Sequence, residues 1–119
     1  MLQDSLLILE TSLKKFNIDD EKRILVVGFF SHYKAGTWIY PGVIKRKFSI
    51  PIQDVYGILN ELEINGVVES YFEVCCKRCK KTLGNVYQTF EEIPSTAECD
   101  CCGVVNALQN AYIIYKVIV

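Results

Sequence analysis

Apolar residues recur with a helical period over residues 4–16, which predicts an amphipathic N-terminal helix. Asp4 or Ser5 can cap its start, and two lysines near its end complement the helix dipole. The apolar stripe is wide, which indicates burial on two sides, either within the fold or against a second copy or another protein. The candidate interface residues on this helix are Leu2, Leu6, Leu9 and Leu13.

The next apolar run covers residues 24–30, and its pattern fits either a buried strand or a buried helix. Acidic residues at positions 19–21 precede the run. Carboxylates stabilise the positive end of a helix dipole, and the run continues to about Tyr33. We therefore expect a second helix that begins near residue 19.

Two prolines mark the starts of two further helices. Pro41 fits the first turn of a short helix over residues 41–48, because the first turn does not need its missing N–H. Pro51 fits the first turn of a helix over residues 51–65, for which Ser49 is the expected N-cap. The two helices are predicted to be joined by a tight turn.

Three segments are rich in β-branched and aromatic residues and are predicted to be strands. The first is short and covers residues 37–40. The second covers residues 67–74, and the third covers residues 111–119. The element order is therefore helix, helix, strand, helix, helix, strand, a cysteine-rich segment and a final strand.

The length and the net charge of the chain limit the classes of protein to which it can belong. The chain has 119 residues, half of them hydrophobic, so it can form one ordinary domain or a small domain with a metal-stabilised addition. The formal net charge of −1 lacks the basic excess of a dedicated nucleic-acid binder. No signal peptide or membrane span is recognisable, so we expect a cytoplasmic protein, or one associated with the nucleoid through a partner, and no membrane partner.

The six cysteines form two groups, and each group contains a C-x-x-C pair. The pairs are Cys76 with Cys79 and Cys99 with Cys102, and Gly103 follows the second pair. Residues 80–98 separate them, which is within the spacing of four-cysteine zinc sites. Two residues between ligands allow both sulfurs to bind one tetrahedral ion. We predict one structural Zn²⁺ on these four thiolates.

Cys75 and Cys101 remain outside the predicted ligand set. Cys75 is expected to pack as a small hydrophobic residue. Four thiolates close the coordination shell, whereas catalytic zinc usually keeps an open position. No nucleophile–base pair can be assembled from the sequence, and the single histidine, His32, is not expected to be a ligand. We therefore expect a protein that is not an enzyme.

The predicted architecture is α+β: a winged helix-turn-helix with a four-cysteine zinc ribbon inserted at the wing, between two antiparallel strands. It divides the chain into an N-terminal amphipathic helix (1–17), a winged-helix core (18–74), a zinc ribbon (75–110) and a C-terminal strand that returns to the sheet (111–119).

Basic residues form two clusters that are candidates for contact with nucleic acid or with an acidic partner. They are Lys45, Arg46 and Lys47, and Lys77, Arg78, Lys80 and Lys81. A solvated surface is the simpler explanation of either cluster, and the second can also offset the net charge of −2 of a four-thiolate zinc site. The helix expected to enter a DNA groove, 51–65, carries only acidic charges.

A winged helix followed directly by a C-x-x-C…C-x-x-C-G ribbon resembles the alpha subunit of general transcription factor IIE and its archaeal counterpart. The architecture is also similar to small bacterial winged-helix and zinc-ribbon accessory proteins, some of them associated with mobile or anti-phage defence systems. The resemblance implies modules that work mainly by docking on RNA polymerase. The matching parts are residues 19–74, Cys76, Cys79, Cys99, Cys102 and Gly103.

Two functions are compatible with the sequence. The first is a non-enzymatic adaptor, a zinc-stabilised winged helix that docks on a larger protein or nucleoprotein assembly of the transcription or defence type. The alternative is a DNA-binding transcriptional regulator that uses both basic clusters, with dimerisation through the N-terminal helix.

Overall fold

The computed structural model describes residues 1–119 and has an α+β fold with four helices and six strands. A short 3₁₀ turn covers Phe90–Glu92. The helices are α1 (Gln3–Lys15), α2 (Asp20–Phe30), α3 (Pro41–Phe48) and α4 (Ile52–Ile64). The strands are β1 (Trp38–Ile39), β2 (Val68–Cys76), β3 (Lys81–Tyr87), β4 (Thr96–Cys99), β5 (Gly103–Asn106) and β6 (Ala111–Val117).

The strands form two sheets. A four-stranded sheet has the order β1–β6–β2–β3, so the last strand of the chain lies between the first and the second. β1 and β6 are antiparallel, as are β2 and β3. The second sheet is the antiparallel hairpin of β4 and β5. The C-terminal strand thus lies in one sheet with the two strands that precede the cysteine-rich segment.

The starts of α2 and α3 agree with the residues expected to begin them, whereas the predicted caps of α1 and α4 were wrong. The Asp19 carboxylate accepts a hydrogen bond from the Lys22 N–H at 2.8 Å, which caps α2. Pro41 begins α3. The expected caps of α1 were wrong, because the capping position is Leu2 and no side chain caps it. Ser49 has φ 53° and ψ 44°, so it closes α3 in the left-handed conformation and does not cap α4.

The chain forms two compact units. The first consists of Met1–Glu69 and Tyr115–Val119, and the second consists of Ser70–Ile114. The N-terminal helix belongs to the first unit, where α1 contacts α2 and α4, and α3 contacts α4. The junctions lie within β2 and β6 rather than at the ends of the cysteine-rich segment.

The core of the first unit includes side chains of all four helices. Residues of α1 to α4, with one residue of the turn before α4, surround its centre: Leu9, Leu13, Val26, Phe30, Ile44, Ile50, Val55, Ile58 and Leu59. Within α4, Gly57 lies directly against the Phe16 ring, and a Cβ atom at this position would collide with the ring. This close approach brings α4 against the end of α1.

Burial corrects the prediction of an interface on α1. Leu9 and Leu13 are fully buried in the core of their own chain, so they are not available to a second copy. Leu6 is partly buried, whereas Leu2 and Leu7 are 60% and 55% exposed. The wide stripe of α1 therefore reflects a core-facing side and a smaller exposed edge.

The second unit has a much smaller core. Its fully buried centre is Val74, Ile93 and Ala107, with five partly buried apolar side chains packed around it: Phe72, Leu83, Tyr87, Ala97 and Ala111. One buried carboxylate, Glu73, accepts a hydrogen bond from the Tyr112 hydroxyl. A core of this size contributes little hydrophobic stabilisation.

No helix of the chain combines the length and the apolar character needed to cross a lipid bilayer.

Replacing a core leucine of α1 should cost far more stability than replacing an exposed one. We expect Leu13→Ala to lower the free energy of unfolding by about 2–5 kcal/mol, because a cavity forms where the side chain was fully buried. The matched control Leu7→Ala should change it by less than about 0.5 kcal/mol. Urea denaturation measures both, and equal losses would contradict the assignment of the two sides of α1.

Candidate metal centre

The first pair of cysteines lies at the tip of the β2–β3 hairpin. Cys76 is the last residue of β2, and Cys79 lies in the turn before β3. The Lys80 N–H donates to the Cys76 carbonyl oxygen at 2.6 Å, which closes the turn. Lys80 has a φ of 58°, so the residue after the second cysteine has the left-handed conformation. The turn thereby brings the two side chains to one side.

The second pair repeats this arrangement at the tip of the β4–β5 hairpin. Cys99 is the last residue of β4, Cys102 lies in the turn, and Gly103 begins β5 with a φ of 75°. The predicted role of the glycine, a positive φ after the second cysteine, is confirmed. Both turns therefore have the same C-x-x-C form, followed by a residue in the left-handed region.

The four predicted ligands come together. The sulfur atoms of Cys76, Cys79, Cys99 and Cys102 all lie within 4.8 Å of one another. The Cys79 sulfur is 3.0 Å from that of Cys102 and 3.6 Å from that of Cys99. Sulfurs on a tetrahedral zinc ion, at about 2.3 Å from the metal, are separated by about 3.8 Å. The cluster is consistent with a zinc site, and two of its members are buried and two are half-buried.

Hydrogen bonds shift the pKa values of two of these thiols, Cys99 and Cys79, in opposite directions. The backbone N–H groups of Cys101 and Cys102 lower the pKa of Cys99 to about 7, because they stabilise its thiolate. Hydrogen bonds with the sulfurs of Cys102 and Cys99 raise the pKa of Cys79. Four thiolates at these distances repel one another, so a cation at their centre is required for all four to be ionised.

The two remaining cysteines lie outside the cluster. Cys75 is half-buried on β2, and burial, with the charges of Glu73 and Cys76, raises its pKa. This environment agrees with a packing role rather than a ligand role. Cys101 is exposed, and its contribution to the cluster is the backbone N–H that faces the Cys99 sulfur. His32 is exposed on the other compact unit and is not part of the cluster.

Asn110 is a structural residue of the site that the sequence analysis missed. Its side-chain oxygen accepts the Lys77 N–H at 3.1 Å, and its side-chain nitrogen donates to the Asn106 carbonyl oxygen at 2.7 Å. Its backbone carbonyl accepts the Cys75 N–H at 2.9 Å. Asn110 therefore links the first cysteine turn to the end of β5. Its place directly before the predicted strand 111–119, where asparagine is a common turn residue, was the only sequence signal.

The basic residues around the first turn, candidates for contact with nucleic acid or an acidic partner, are exposed. Lys77, Arg78, Lys80 and Lys81 form no ion pair with a carboxylate of the chain. Lys45, Arg46 and Lys47 are likewise exposed, in the last turn of α3. Lys47 lies over the Phe29 ring at 5.3 Å from its centre. The second cluster belongs to the unit that contains the cysteines, and the first does not.

Removal of one ligand should abolish metal binding, whereas removal of a neighbouring cysteine should not. We expect about one zinc per chain in the purified protein by elemental analysis, and loss of zinc in Cys76→Ser and Cys102→Ser. Cys75→Ser is the matched control and should retain the metal, because its sulfur lies outside the cluster. Zinc retained in the first two variants would overturn the ligand assignment.

Comparisons of the chain with protein-family models, curated proteins and solved structures found no match in any of the three.

Proposed function

We propose that the protein is a non-enzymatic adaptor, a zinc-stabilised winged helix that docks on a larger protein or nucleoprotein assembly. The convergence of four cysteine sulfurs within 4.8 Å is the observation that carries the zinc part of the proposal. Four thiolates would fill a tetrahedral shell and leave no open position for a substrate. The metal would then have a structural role.

The small core of the second unit supports a structural role for zinc. The apolar cluster at its centre has three buried members, and two short hairpins provide the cysteines. A unit of this kind lacks the hydrophobic burial to be stable by itself, and small domains of similar size are commonly held by metals or disulfides. All six cysteines are free thiols, so no disulfide takes this part. Metal binding would be coupled to the folding of the unit.

The winged-helix part of the proposal is supported by the order and pairing of the elements. α3 and α4 are in contact and are joined by the three residues between Phe48 and Ile52, as in a helix-turn-helix. β1 precedes this pair and joins a sheet in which β6 lies between β1 and β2. β2 and β6 would then be the strands of the wing, with residues 77–110 in place of its tip.

The charge of α4 favours a protein partner over DNA. Its charged residues are Asp54, Glu61 and Glu63, and Glu61 is paired with Lys15 of α1 at 2.6 Å. An acidic helix is repelled by phosphates, so this helix is unsuited to a DNA groove. On α2, Ile24 and Leu25 are adjacent and 72% and 63% exposed. Adjacent exposed apolar residues are typical of surfaces that a partner protein covers.

The adaptor proposal predicts a stoichiometric protein partner in the native host. Tagged full-length protein should retain one after nuclease treatment of the lysate, with the partner identified by mass spectrometry. Cys76→Ser should lose the partner if the zinc-bound unit takes part in docking, whereas Cys75→Ser should keep it. A protein that stays monomeric and captures no protein would contradict the proposal.

A second candidate, a DNA-binding regulator, is favoured by one observation. Lys45, Arg46 and Lys47 are consecutive, exposed and without a carboxylate partner in the chain. Such cations can neutralise phosphates, although they also complement the C-terminal end of the α3 dipole.

The regulator would bind duplex DNA with an affinity that falls steeply with salt, because phosphate contacts release counterions. Arg46→Glu and Arg78→Glu should each weaken binding by about tenfold or more, whereas Lys34→Glu, outside both clusters, should have a smaller effect. Fluorescence anisotropy at several salt concentrations measures this. No binding at low salt would exclude the regulator.

A further inference from the structure

We propose that the outer edge of β5 binds an extended acidic segment of a partner protein by strand addition. This inference rests on the proposed adaptor function and names the chemistry of the segment that the adaptor would recognise. All the residues that carry it belong to the second unit, Ser70–Ile114.

The edge of β5 has backbone groups that no strand pairs with, although the Asn106 carbonyl oxygen at its end accepts a hydrogen bond from the Asn110 side chain. β5 pairs with β4 through a register that runs from Cys99↔Gly103 to Thr96↔Asn106. The sheet contains only these two strands, so no strand lies along the other side of β5. An open edge presents alternating N–H donors and carbonyl acceptors that another extended chain can pair with.

A groove of about 400 Å³ lies beside this edge. Its wall on the strand side contains Val104 and Val105, and Lys77 and Arg78 of the first cysteine turn line it as well. Val104 is 66% exposed although it is apolar. Asn110 also lines the groove, and its hydrogen bond to the Lys77 backbone holds the first turn in place. Cys76 and Cys102 of the candidate metal centre line it too. The groove therefore combines a strand edge, an apolar side chain, two cations and two of the four clustered cysteines.

Charge complementarity identifies the occupant as acidic. Lys77 and Arg78 have no carboxylate within ion-pair distance, so both are available to a ligand. Glu98 is the cross-strand neighbour of Val104 and is exposed. Val104 is apolar and exposed, so we expect an apolar residue of the added segment beside it. Acidic residues at the alternate positions can then reach the cations, which gives a ligand that alternates apolar and acidic residues.

The same groove fits a peptide better than a nucleic acid. A strand edge offers both donors and acceptors, whereas phosphate oxygens only accept hydrogen bonds. Single-stranded nucleic acids are usually held by aromatic side chains on which bases stack, and no aromatic residue lines this groove. A peptide backbone uses the donors and the acceptors of the edge together.

A defined peptide tests the proposal on the full-length, zinc-loaded protein. The probe is a fluorescein-labelled eight-residue peptide in which valine and glutamate alternate, and anisotropy measures its binding. We expect saturable binding that is lost when every backbone amide of the peptide is N-methylated, because strand addition needs those N–H groups. Replacement of its glutamates by lysines should also abolish binding. On binding, exchange of the Val104 amide hydrogen should slow, whereas that of Val105, which faces β4, should change little.

Two charge-matched double variants test the position of the site. Lys77→Gln with Arg78→Gln should raise the Kd about five- to thirtyfold, the effect expected from two peripheral ion pairs. Lys80→Gln with Lys81→Gln removes the same charge from residues that do not line the groove, and it should change the Kd less than about twofold. The zinc content of both variants should equal that of the unaltered protein, which separates lost contacts from lost folding.

Several outcomes would overturn strand addition at β5. They are no binding of the valine–glutamate peptide, unchanged binding of its N-methylated form, equal losses in the two double variants, or tighter binding of a single-stranded oligonucleotide than of the peptide. The last result would assign the groove to nucleic acid. If the protein still captures a stoichiometric partner when one of these occurs, only the β5 proposal fails. Loss of partner capture as well would remove the adaptor function itself.

Discussion

The convergence of four thiols is the constraint on which the second unit depends. Its central apolar cluster is small and contributes little hydrophobic stabilisation to two hairpins and the connections between them. Cysteine turns at the tips of β2–β3 and β4–β5 bring four sulfurs within 4.8 Å, and Asn110 links the first turn to the end of β5. A tetrahedral ion on these sulfurs would connect the hairpins more strongly than their few apolar contacts do.

The same cluster accounts for the local placement of charge. A four-thiolate zinc site would have a net charge of −2, and the turn that contains Cys76 and Cys79 provides exposed cations at positions 77, 78, 80 and 81. Only Lys77 and Arg78 of these line the groove beside β5. Offsetting the charge of the site and binding an acidic segment are therefore compatible roles, and different residues of the turn can serve each.

The regular elements could be predicted from the sequence because their causes are local. The helix over 41–48 was predicted with its observed bounds, and the other helices to within a few residues, since prolines and acidic residues mark their ends. Strands β3, β4 and β5 were not predicted individually. Each has few buried residues and pairs only through a hairpin, so its alternating pattern is weak.

The sequence by itself determined three features: the α+β class, the set of four cysteines and the conformation of Gly103. The pattern of apolar residues indicates the class, the C-x-x-C spacing indicates the cysteine set, and glycine is the residue that most readily adopts a positive φ. Only the tertiary structure decided which side of α1 is core, because both sides of that helix contain leucines and burial depends on α2 and α4. The tertiary structure also determined the left-handed backbone conformation of Lys80 and the contact of Gly57 with the Phe16 ring. These features depend on neighbours distant in sequence or on turn closure, which no local pattern encodes.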